Sequence, residues 1–185
     1  MNLSPALILA NLRAAFRYAI GRGRPDELFD TSLAHFWQSV WGPWIIHLLA
    51  TSFASQIFGL TGFVKLSIIA LISSVAYIIM VSFMMGRIGK GERFLAFIIP
   101  YQWLTAFQAA CFGMIAFLVM VAPNSNAHLL TIPVVIWLLI RTWYLIKDVM
   151  GITGGLAVGF ILARILLDMV VNFASGIIAP LGGAL

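Results

Sequence analysis

The chain has 185 residues, 62% of them hydrophobic and only 9% charged, with a mean hydropathy of +1.05. A soluble domain carries about 25% charged residues, so this balance excludes a water-soluble enzyme and points to an integral membrane protein. The net charge of +5 reads as a positive-inside signal and not as a nucleic-acid footprint, because the basic residues cluster in particular loops.

Residues 1–35 read as a cytoplasmic amphipathic arm. Ser4 followed by Pro5 is a helix start, an N-cap with proline at the first helical position. Leu9, Leu12, Phe16 and Ile20 then recur at helical spacing, with Arg13 and Arg17 on another face. Such a helix lies in the plane of the membrane interface. It ends where Gly21, Arg22, Gly23, Arg24 and Pro25 follow one another. The apolar stretch 3–9 is short and has no basic residues before it, so it is not read as a secretory signal.

The remainder, 36–185, reads as an all-α polytopic membrane bundle of five transmembrane helices, over 36–60, 63–85, 94–121, 129–146 and 152–178. Asp30, Thr31 and Ser32 offer the cap of the first, and Trp37, Trp41 and Trp44 mark its start at headgroup level. Thr61 and Gly62 predict a tight turn into the second span, with Lys65 near its end. Pro100 falls inside the third. The loop between the third and fourth, with Pro123, Asn124, Ser125 and Asn126, has no formal charge. Arg141 is placed to snorkel to the interface, and Asp148 and Gly151 close the fourth helix.

Five crossings put the termini on opposite sides. With the N-terminus inside, the inner segments hold Arg13, Arg17, Arg22, Arg24, Arg87, Lys90, Arg93, Arg141 and Lys147, and the outer side only Lys65. Residues 179–183 are then expected outside.

The last span carries two opposite charges, Arg164 and Asp168, one helical turn apart. At 1.5 Å rise per residue they lie roughly 18 Å from Ile152, near mid-depth of a core about 30 Å thick. Charges there are expected to face other helices or water and to pair. Asn172 continues that row at i+4, and Gly155, Gly159 and Ala163 form a small-residue ridge beside it, expected to make a close helix contact either inside the bundle or with another subunit. Two further polar rows, His47–Thr51–Ser55 and Gln102–Thr105–Gln108, could meet the first in the bundle centre. The rows serve either as interhelical glue or as the lining of a cavity for an ion, proton or small solute.

No catalytic constellation, metal motif or cofactor site emerges. His35, His47 and His128 lie in different segments, and Cys111 sits alone in an apolar run. A haem on His47 lacks a second ligand at suitable spacing. The 6 tryptophans and 14 phenylalanines admit a quinone- or pigment-associated subunit.

Arg22 and Gly23, then Leu28, Phe29, Asp30, Thr31 and Ser32, then Phe36, Trp37, Gln38 and Ser39 resemble a stretch that precedes the first span in small bacterial Yip1-like membrane proteins. The short arm, the five spans and Asp168 in the last of them are also similar. The resemblance implies a multi-pass protein of the bacterial inner membrane. Eukaryotic Yip1 proteins are linked to Rab GTPases and vesicle traffic. This chain lacks a long cytoplasmic domain for that work, and the family has no catalytic residues to transfer.

The expected role is therefore non-enzymatic: a scaffold or accessory subunit that binds another membrane protein, or a further copy of itself, through its helix faces. The alternative is a homo-oligomeric transporter or channel for a small solute, ion or proton, built on Arg164, Asp168, Asn172, His47, Gln102 and Gln108.

Overall fold

A computed structural model describes residues 3–52, 55–122 and 126–176, the side chains of 55–58 excepted. Every regular element among these is helical: α1 Pro5–Ala19, α2 Pro25–Leu28, α3 Leu33–Ser52, α4 Ser55–Arg87, α5 Phe94–Val121, α6 Thr131–Met150 and α7 Gly154–Ala174. Short 3-10 turns, Gly91–Arg93 and Ala127–Leu130, lead into α5 and α6.

Local chemistry sets the ends. The Ser4 hydroxyl accepts from the Leu7 amide at 3.2 Å, which satisfies one of the amides that α1 leaves unpaired at its start. Ser32 caps α3 by accepting from the His35 amide, and its own amide donates to Asp30 at 2.8 Å. Gly151 takes a left-handed conformation (φ 60°, ψ 43°) and stops α6.

Among the described residues four helices are long and apolar enough to cross a membrane: Gly59–Arg87, Gly91–Val121, Ala127–Met150 and Gly154–Ala174. The expected first span differs. It is helical, but His35, Gln38, Gly42, Pro43, His47 and three tryptophans dilute its apolar character. The turn expected at Thr61 and Gly62 is displaced as well, since both residues are helical within α4. The break falls instead at Gly59, whose φ of 68° with ψ of 178° is a conformation open essentially to glycine alone. Pro123, Asn124 and Ser125 of the loop and residues 179–183 of the tail lie outside the described residues.

The helices run alternately. α3 lies parallel to α5, with Phe36 against Phe94, Gly42 against Trp103 and Ala50 against Gly113. α4 returns antiparallel to both, and α6 returns antiparallel to α5, with Phe107 on Trp137 and the Arg93 guanidinium donating to the Val149 carbonyl at 3.1 Å. α7 closes the ring between α6 and α4.

The core is not uniform along this bundle. Its fully buried side chains include Met85 at the end of α4, Phe97, Ile98 and Ile99 at the start of α5, and Leu145, Ile146 and Met150 at the end of α6. Ala157 and Phe160 at the start of α7 join them. All lie toward the end that carries Arg87, Lys90, Arg93 and Lys147. Packing is dense at that basic end and looser at the other.

α1 docks on this bundle and buries Ala15, Tyr18 and Ala19, mainly against α5. Arg13 and Arg17 are exposed, and so are Leu9, Phe16 and Ile20 of the expected apolar face, of which Leu12 packs on the core.

Candidate functional site

A cavity of about 540 Å³ lies where the helices separate, lined from all five long helices α3 to α7. Its polar wall is built from His47 and Thr51 on α3, Ser74 and Tyr77 on α4, Tyr101, Gln102, Thr105 and Gln108 on α5, Thr142 on α6, and Arg164 and Asp168 on α7. The three polar rows thus converge. Asn172 stays behind: its amide donates to the Asp168 carbonyl of its own helix and does not line the cavity. The Ser55 side chain lies outside the described residues.

Helical periodicity explains the convergence. Residues three and four apart share a face. Ala157, Phe160, Ile161, Arg164 and Asp168 therefore form the inner stripe of α7, while Leu162, Leu166, Met169 and Val170 point outward.

Arg164 is fully engaged. Its Nε donates to Asp168 Oδ2 at 2.8 Å, a terminal nitrogen donates to the Ser73 carbonyl at 3.4 Å, and its plane lies 4.9 Å from the Tyr77 ring centre. Three contacts of different kinds offset the cost of holding a cation at this depth. Gln102 and Ser74 satisfy one another across α5 and α4 at 3.0 Å, and Thr105 and Thr51 donate back to carbonyls of their own helices. The His47 ring and the Gln108 amide, both half-buried on the wall, make no hydrogen bond among the described residues. The buried Tyr77 hydroxyl on the same wall also has no hydrogen-bond partner among the described residues.

Sequence reasoning missed Ser73, Ser74, Tyr77 and Tyr101. Their signal was present, since Ala70, Ser74 and Tyr77 repeat at helical spacing in an otherwise aliphatic span. Tyr77 and Tyr101 stack with ring centres 4.6 Å apart and, both buried, close the cavity toward the basic end.

Of the two contacts expected for the small-residue ridge, the one inside the bundle is not made by its glycines among the described residues. A side chain added at Gly155 or Gly159 would meet nothing within 4 Å there. Close approach is made by other glycines. A Cβ at Gly42 would run into the Trp103 ring, one at Gly113 would sit 2.9 Å from Ala50, and one at Gly154 2.9 Å from Trp143.

Arg141 also departs from simple snorkelling. It donates to the Tyr18 carbonyl at the end of α1, and its guanidinium lies 4.5 Å from the Tyr18 ring centre. The Tyr18 hydroxyl donates in return to the Arg141 carbonyl at 3.3 Å. A cation at a helix C-terminus also meets the negative end of the macrodipole. Burial pushes the Tyr18 hydroxyl up to about 12, with Arg141 opposing and Asp148 adding to the shift.

Among the described residues no three His, Cys, Asp or Glu side chains come together as a metal site would need. No family model, curated protein or solved structure matches this chain.

Proposed function

We propose that this protein binds a small organic solute in the cavity between α3 and α7 and carries it through the membrane. The observation behind this reading is the convergence of the Arg164, His47 and Gln102 rows on one space. Glue alone would need no such volume. About 540 Å³ falls in the range of ligand pockets, some 300–1,000 Å³, and far exceeds a single water's share of roughly 30 Å³. A proton or ion path would not require that size. In this reading α3 is a fifth crossing, supported by its parallel run beside α5. The basic end faces the cytoplasm, supported by the positive-inside bias, and the location is a bacterial inner membrane, in line with the Yip1-like resemblance.

Liposomes holding the protein are expected to pass at least one uncharged organic solute faster than empty liposomes do. Ala109→Trp, which fills the cavity from its α5 wall, should remove that increment without altering assembly. Equal permeability of empty, wild-type and Ala109→Trp liposomes across a solute panel would sink the transport reading.

A scaffold or accessory role draws on one other observation, the outward and uncovered face at Gly155 and Gly159. A stoichiometric membrane partner in a mild-detergent pull-down, released by Gly159→Leu, is the result that reading expects. Purification of a lone monomer counts against it.

A further inference from the structure

We infer that the cavity's ligand is an amphiphile with an uncharged, hydrogen-bonding head, and that it arrives sideways from the bilayer. This rests on the solute-binding reading and names its substrate class. Three features carry it.

The first is charge. Arg164 and Asp168 neutralise one another at 2.8 Å, and among the described residues no other Asp, Glu, Lys or Arg lines the space. A charged ligand would have to break that pair or lie unpaired in a region of low dielectric, at high cost. A neutral head does neither. The His47 ring and the Gln108 amide, both without a hydrogen bond among the described residues, offer donors and acceptors to hydroxyl, amide or carbonyl groups.

The second is the remaining wall. Phe112, Ile161, Ala50 and Ala109 interrupt the polar groups, so the space suits a molecule that is apolar along much of its length.

The third is the mouth. The exposed lining residues are Ala116 on α5, Leu139 on α6 and Ile165 on α7, all apolar. Leu139 and Ile165 lie near mid-length of helices apolar enough to cross a membrane, so a slot beside them gives onto hydrocarbon. At the basic end the Tyr77–Tyr101 pair and the packed core close the space. The polar head sits within and the chain leaves through the slot.

The test uses the full-length protein in lipid nanodiscs with a monoacylglycerol that carries a diazirine on its acyl chain. After illumination, mass spectrometry maps the adducts. Adducts are expected on Leu139, Ile161 and Ile165, reduced at least fivefold by unlabelled monoolein and by Ala109→Trp. Adducts on the outward Leu166 should be insensitive to both. The inference is overturned if Ile161 and Leu166 respond alike, or if laurate or dodecyltrimethylammonium competes as well as monoolein. If tail-less solutes cross wild-type but not Ala109→Trp liposomes while no adduct is competed, solute transport stands and the amphiphile falls. If neither result appears, both fall.

Discussion

Arg164 and Asp168 occupy a depth at which either alone would be costly, so each depends on the other. Removing one partner of a buried pair typically costs about 3–5 kcal/mol. Their side chains are 25% and 38% exposed, which lowers the expected loss to about 2 kcal/mol. Arg164→Leu and Asp168→Asn should each lower the midpoint of thermal unfolding in detergent, whereas the double change Arg164→Leu with Asp168→Leu should recover most of the loss. A double variant as unstable as the two single losses added would show that the residues do not act as a unit. Asp168→Asn should also abolish solute flux while the protein still assembles.

Glycines give a second residue-scale contrast. Gly42→Ala drives a methyl into the Trp103 ring, and overpacking of this kind costs about 1–3 kcal/mol. Gly159→Ala meets open space on a helix and should be neutral or stabilising by up to about 1 kcal/mol. Unfolding midpoints of the two variants should move in opposite directions. Equal shifts would contradict the packing described for α3 on α5.

At the scale of elements, α1 is held by a two-way contact between Tyr18 and Arg141. The Tyr18 hydroxyl keeps its proton to about 12 in the folded chain, against an ordinary value of 10.0. Between those values the unfolded chain has released the proton and the folded chain retains it. The resulting stability is therefore fully present below pH 10 and is lost as pH rises toward 12. Wild-type protein should lose more stability than Tyr18→Phe between pH 9 and about pH 12, as read from melting midpoints in the same detergent. At neutral pH Tyr18→Phe should cost only about 0.5–1.5 kcal/mol, one ordinary hydrogen bond. Parallel pH profiles would remove the hydroxyl from the account of α1 docking.

Most elements were legible because their signals are local. The Ser4 and Ser32 caps, the Gly151 stop and the inner stripe of α7 depend on residues within a turn or two. The Gly59 break was hidden because Thr61 and Gly62 make an equally plausible turn, and only backbone conformation distinguishes them. The ridge at Gly155 and Gly159 has no close neighbour among the described residues, and the sequence left its partner unspecified for a different reason. Small residues permit close approach but do not select the partner helix, whereas Gly42 and Gly113 are matched by Trp103 and Ala50 on the opposing helix. The contributions of Ser74 and Tyr77 depend on which face of α4 turns inward, which α3 and α7 jointly decide.

At the scale of the whole molecule, the question is whether α3 crosses the membrane. By composition it falls behind the other four long helices, yet a helix need not be apolar all round when neighbours cover it. α3 buries Gln38, Ser39, Gly42 and Pro43, and it turns His47 and Thr51 toward the cavity, so the polar residues between its two ends are covered by neighbours. Its 20 residues extend about 30 Å, the thickness of the hydrocarbon core. The contacts Phe36–Phe94 and Ala50–Gly113 place its two ends at different depths of α5. If α3 and α4 both cross, Arg22 and Lys90 lie on the same side of the membrane; if α3 does not, they lie on opposite sides. In a Cys111→Ala background, Arg22→Cys and Lys90→Cys should both resist an impermeant maleimide applied from outside intact cells and both react once the membrane is opened. Labelling of Arg22→Cys alone in intact cells would remove the fifth crossing. It would also strand Arg13, Arg17, Arg22 and Arg24 on the face opposite Arg87 and Lys90, a distribution that the positive-inside bias disfavours.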